Sequence, residues 1–87
     1  MHAVVVKVTI HDAEGGLSAL REQLVPRVSQ APGFVTGYWT RKDNGGLSMI
    51  VFDSEDAANT ASELLRSIAP DEVTQESVEV REVVAHA

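Results

Sequence analysis

The chain has 87 residues, no cysteine, 44% hydrophobic content and a formal net charge of −6. These values exclude disulfides and thiolate chemistry, argue against intrinsic disorder, and disfavour nucleic acid as a partner, because phosphate backbones need clustered Lys and Arg. At this size only about 60–65% of the unfolded surface can be buried, so a thin core and a need for an oligomeric partner are expected.

No apolar run approaches the roughly 18 residues that cross a bilayer. The N-terminus shows no basic segment leading into an apolar stretch and a cleavage site. A cytoplasmic protein with no membrane contact, forming one domain over residues 1–87, is the expectation. Charge is unevenly placed: residues 1–52 hold five basic and four acidic side chains, residues 53–87 two basic and nine acidic.

The first element is a strand. Val4, Val6, Val8 and Ile10 alternate with Ala3, Val5, Lys7, Thr9 and His11 in strongly β-branched material. Asp12-Ala13-Glu14-Gly15-Gly16 breaks the alternation, and Leu17, Leu20, Leu24, Val28 and Ala31 then recur at helical spacing. Pro26 lies inside that helix, where it removes a hydrogen bond and crowds the carbonyl of Glu22, so a kink or two helical pieces are predicted. Pro32-Gly33 ends the element.

Phe34 to Lys42 and Leu47 to Phe52 read as a hairpin, with Asp43-Asn44-Gly45-Gly46 supplying the positive φ angles of a tight turn. Asp53 or Ser54 caps a second helix, whose first turn carries Glu55 and Asp56 in favourable relation to the helix dipole. Its apolar stripe is Ala57, Ala58, Ala61, Leu64, Leu65 and Ile68. Pro70 to Gln75 reads as a loop, and Val78, Val80 and Val83-Val84 as a last strand.

The order β-α-β-β-α-β predicts a ferredoxin-like α+β fold: a four-stranded antiparallel sheet with two helices on one face. Antiparallel sheets usually leave the other face polar. Here both faces read as apolar: Val4/Val6/Val8/Ile10 against Ala3/Val5, Phe34/Tyr38 against Val35/Trp39, and Ile50/Phe52 against Leu47/Met49/Val51. Two helices cannot cover both, so a homodimer with the sheets face to face is expected.

Candidate chemistry centres on strand two. Trp39 and Arg41 share a face and Tyr38 takes the other, so a planar aromatic ligand can stack on Trp39 while Arg41 pairs an anionic oxygen. Packing of Trp39 into the dimer interface is the competing expectation, as is packing of Tyr38 under a helix. His11, beside Asp12, is a candidate base. Lys7, in an otherwise apolar strand, calls for an ion pair with Glu79 or Glu82, or else contacts a ligand. His2 and His86 at opposite termini give no basis for a metal site. Gly15-Gly16 lacks phosphate-loop spacing, and Ser18, Ser48 and Ser54 have no His and acid at nucleophile spacing.

The run Pro32-Gly33-Phe34-Val35-x-Gly37-Tyr38, a turn, a strand and then Asp53-Ser54-Glu55-Asp56-Ala57 resembles the dimeric α/β-barrel superfamily. Within it the chain is most similar to antibiotic-biosynthesis-monooxygenase domains, with the stress-responsive barrel proteins nearby. The resemblance spans about residues 3–85 and rests on structural junctions. It implies a cofactor-free monooxygenase acting on a small aromatic or quinone-type compound, in a pocket between sheet and helices. His11, Arg41 and Tyr38 would then be the catalytic candidates, and Trp39, Lys7, Thr9 and Phe52 the ligand contacts. The alternatives are a non-catalytic dimeric ligand-binding or stress-responsive module, and a protein docking through the acidic 53–82 surface. For the haem-degrading branch the resemblance implies an Asn, a Trp and a His. Thr9 and Phe52 stand at the first two positions and no His lies between Asp12 and Ala85, so no cofactor is expected.

Overall fold

The computed structural model describes residues 1–87. Its elements are β1 (His2–Ile10), α1 (Ala13–Ala19), a π-helical turn (Leu20–Leu24), α2 (Val25–Ser29), β2 (Phe34–Lys42), β3 (Gly45–Phe52), α3 (Glu55–Ser67) and β4 (Val73–Glu82). The four strands form one antiparallel sheet in the order β2-β3-β1-β4. This is the ferredoxin-like arrangement expected from the element order. No helix is long and apolar enough to cross a membrane.

Both helical layers pack on one face. Val4, Val6, Ile50 and Phe52 of the central strands meet Val28 of α2 and Ala58, Ala61 and Leu65 of α3 in a single core. The small side chains of α3 let that helix lie close to the sheet. Ser54 caps it, its Oγ accepting from the Ala57 N–H at 3.2 Å, and Asp12 does the same for α1, accepting from Gly15 at 3.1 Å.

The first helix is neither simply kinked nor split. A wide turn closes through the N–H of Val25 to the carbonyl of Leu20, five residues back, and Pro26 follows at once. Pro26 has no N–H to donate, and in a regular helix its ring would press on the carbonyl of Glu22. Widening the turn just before it accommodates both constraints while keeping the helix continuous.

Strand two departs from simple alternation. In its pairing with β3, Phe34 stands opposite Phe52 but Thr36 stands opposite Val51, so Val35 is an extra, exposed residue. Phe34 therefore faces the helices, where its ring meets Phe52 edge-on with centroids 6.1 Å apart. Tyr38 does not share its face, as strict alternation predicts; a β-bulge changes the phase. A second bulge in β4 leaves Glu76 out of register between Gln75, opposite Val8, and Ser77, opposite Lys7.

Two boundaries also move. β4 begins at Val73, inside the expected loop, because β1 offers it a partner as far as Ile10; it ends at Glu82, so Val83-Val84 lies beyond the strand. In the hairpin turn the positive φ belongs to Asp43, at 55°, not to the glycines that follow. Gly33 does use its freedom: φ is 82°, and a Cβ there would stand 2.5 Å from Oδ1 of Asp53. Gly33→Ala should therefore cost about 1–3 kcal/mol, seen as a lower denaturation midpoint with unchanged slope.

Candidate functional site

The sheet and the first helix do not close completely on each other. Between them lies a cavity of about 110 Å³. Val6, Val8 and Ile10 of β1 form its floor, while Leu17, Leu20 and Leu24 come from α1 and the π-helical turn above. The turn places Leu20 and Leu24 at its two ends, so the device that accommodates Pro26 also shapes the roof.

β2 and β3 supply one side wall, and Leu65 of α3 with Val73 and Gln75 of β4 supply the other. Trp39 stands opposite Ser48, and Arg41 opposite Gly46, with all four lining the cavity. Gly46 is buried, and a Cβ there would lie 2.6 Å from Cγ2 of Val8. The missing side chain lets β1 fill the floor at that point. Gly37 serves Trp39 similarly: a Cβ would meet the far edge of the indole at 2.9 Å, so the ring lies folded back over Gly37 along the strand.

The wall is mainly apolar, with few polar groups. Gln75 Nε2 donates to the carbonyl of Leu65 at 2.7 Å; the Thr40 hydroxyl, turned to the open face, donates to that of Leu47 at 2.6 Å. The Ser48 hydroxyl, the Trp39 indole N–H and the Arg41 guanidinium make no hydrogen bond within the chain. Arg41 is the sole charged residue of the lining. Chemically, such a wall can stack a ring, donate hydrogen bonds and attract an anion. It offers neither carboxylate nor imidazole to take up a proton.

The residues singled out in the sequence are thus divided between two faces. Trp39 and Arg41 come together in the cavity, which removes Trp39 from the open face and from any sheet-to-sheet interface there. Tyr38 is not under a helix; it sits on the open face opposite Met49 and is 66% exposed. His11 lies past the end of β1, its Nε2 2.5 Å from Oγ1 of Thr74, while Asp12 is engaged in capping α1. Tyr38 is in register with Met49 and, through it, with Val5, six residues before His11. At about 3.3 Å per residue the two are separated by about 20 Å. The trio His11, Arg41 and Tyr38 is not assembled within the chain.

The ligand set divides too. Phe52 is fully buried in the core against Phe34 and does not line the cavity. Lys7 and Thr9 occupy the open face, Lys7 beside Leu47 and Ser77, Thr9 donating to Glu76 at 2.7 Å. Lys7 makes no ion pair: Glu79 is held by Arg81 at 2.6 Å, and Glu82 falls on the other face, across from His2. His2 itself lies 3.6 Å from Glu55. Ser48 and Gln75 are the lining residues that the sequence reading passed over. Strand period could have found Ser48, a polar side chain in phase with Ile50 and Phe52; nothing local marks Gln75, whose facing depends on the β4 bulge.

No family model and no curated protein matches the chain. Among solved structures it is similar to a dimeric ferredoxin-like protein from an uncultured marine organism. The TM-score is 0.68 over the whole of this chain and 98% of the other, at 13% identity. That likeness establishes the fold.

Trp39 is the single tryptophan, so its environment can be read directly. Gly37→Val should push the indole off β2 and shift its emission by several nanometres or change its quantum yield, while Tyr38→Ser leaves the isolated protomer's Trp39 signal unchanged.

Proposed function

We propose that the chain acts as a homodimeric binding module for a small aromatic anion of single-ring size, its ring against Trp39 and its charge toward Arg41. The observation carrying this reading is the pairing, on one cavity wall, of the only tryptophan with an Arg that has no partner in the chain. Size supports the modest ligand. A cavity of about 110 Å³ is below the roughly 300 Å³ of ordinary ligand pockets, and closer to the ~150 Å³ of an apolar cavity that accepts benzene.

Dimerisation is supported by the face turned away from the helices. There Tyr38, Leu47 and Met49 are 66%, 50% and 49% exposed, next to the half-buried Val5 and Val51. The chain has 5580 Å² of accessible surface, against about 5000 Å² for a typical folded monomer of its mass. The ferredoxin-like structural neighbour is dimeric, and a dimer of this chain through the open face would dry it.

A second reading follows from the resemblance to antibiotic-biosynthesis-monooxygenase domains: cofactor-free oxygenation of such a compound. Trp39 and Arg41 in the cavity favour it, since aromatic walls and a cation are two of its three requirements. The third, a base, is not supplied by the wall. His11 and Tyr38 would have to act from elsewhere, so binding without turnover is the better-supported reading.

Thermal-shift screening with benzoate- and phenolate-type ligands should raise Tm for some of them. Arg41→Gln should weaken an anionic hit about 10–100-fold and leave its neutral isostere unaffected, by titration calorimetry. Trp39→Ala should abolish binding with the fold retained by circular dichroism. Oxygen uptake with any bound ligand would favour the enzymatic reading. Equal loss for anionic and neutral ligands in Arg41→Gln would remove the role given to Arg41.

A further inference from the structure

We infer that the two-fold interface is held in register by a reciprocal ion pair between Lys7 of each protomer and Glu76 of its partner. This rests on the homodimer reading above and assigns the contact that makes it specific.

Lys7 lies exposed on a central strand, flanked by Leu47 on β3 and Ser77 on β4, so its stem borders the apolar patch on the β3 side. It has no carboxylate within ion-pair distance. An ammonium enclosed by a second sheet would be costly without an anion, because desolvation outweighs what apolar neighbours return. The face offers two carboxylates. Glu79 is already neutralised by Arg81 through two hydrogen bonds, at 2.6 and 2.9 Å. Glu76 has only the neutral hydroxyl of Thr9. It is also the extra residue of the β4 bulge, a feature that re-aims a side chain, and its bond to Thr9 shows that it is turned onto this face.

Charge balance favours a second copy as the occupant. Strand alternation gives this face Lys7, Lys42 and Arg81 against Glu76 and Glu79, close to neutral in a chain of net charge −6. The excess of acid lies elsewhere, so two copies can approach without the repulsion that their total charge would impose. In a two-fold pair each Lys–Glu contact occurs twice. Both members are exposed in the single chain, so replacing them does not disturb its core.

The test uses charge reversal in trans. By sedimentation velocity the wild type should have about twice the 9.4 kDa chain mass. Lys7→Glu and Glu76→Lys should each weaken the dimer roughly 100-fold or more, through two repulsive contacts, with native circular dichroism retained. Mixing the two variants should restore a dimer, and native mass spectrometry should show it to be the mixed species. A monomeric wild type would overturn the dimer reading and this contact with it. A dimeric wild type with variants that dimerise normally, or that fail to form the mixed species, would overturn the contact alone. Rescue of Lys7→Glu by Glu79→Lys in place of Glu76→Lys would also overturn it.

Discussion

The edge-to-face contact of Phe34 with Phe52 sets the phase of β2, and the rest of the site follows from that phase. Side chains on a strand alternate with a period of two, so one residue more or less exchanges its two faces. Phe34 is drawn into the core opposite Phe52, and Val35 takes up the extra residue before regular pairing resumes at Thr36. From there Gly37, Trp39 and Arg41 point toward the helices, and Tyr38 and Thr40 away. Without the bulge the indole would lie on the open sheet and a phenol would enter the cavity. Gly37 completes the arrangement, since any larger residue would lift the indole off the strand.

The cavity owes its existence to a second local mismatch. Pro26 cannot donate to the helix ladder, and the wide turn before it changes how the preceding residues pass over the sheet. α2 reaches the core through Val28, which is fully enclosed, whereas Leu17, Leu20 and Leu24 are only half-buried above the opening. A helix that packed along its full length would have filled this volume with leucine side chains. What remains is a largely apolar space with Trp39, Arg41 and Ser48 on the β2–β3 side and Gln75 on the β4 side. A ligand held in such a space would be selected by size and a single charge, and the lining has little to contribute to proton transfer.

How much of this was legible in the sequence depended on whether the decisive interaction was local. The element order, the hairpin, the stop at Pro32-Gly33 and a helix cap at Asp53 or Ser54 are written in adjacent residues, and all are present in the structure, with Ser54 as the cap. The bulge at Val35 is not so written, because it arises from the pairing of Phe34 with Phe52, eighteen residues away. The start of β4 is hidden for the same reason: Pro70 to Gln75 reads as a loop, and only the ladder that β1 supplies makes a strand of it from Val73 onward. For the site, the shared face of Trp39 and Arg41 followed from period two alone. Which face it was did not, and that reversed the roles expected of Trp39 and Tyr38. Ser48 is visible as a polar residue in phase with Ile50 and Phe52, but only its position beside the cavity gives that pattern a meaning; Gln75, read as part of a loop, carries no such signal.

Adjacent residues on β2 consequently serve different environments, and this follows from the small size of the chain. Only 12 of 87 residues are buried, so the layer between sheet and helices cannot provide a dry cavity wall and the whole of the stability as well. The open face holds the unused apolar surface, Tyr38, Leu47 and Met49, on the reverse of the strands that carry Trp39 and Ser48. Covering that face would stiffen β2 and β3 from behind, where the cavity wall has little support of its own above it. Assembly and ligand binding would then be linked through the same two strands without any path of conformational signals. A wall ordered by one event requires less ordering in the other, and the coupling has the same magnitude in both directions.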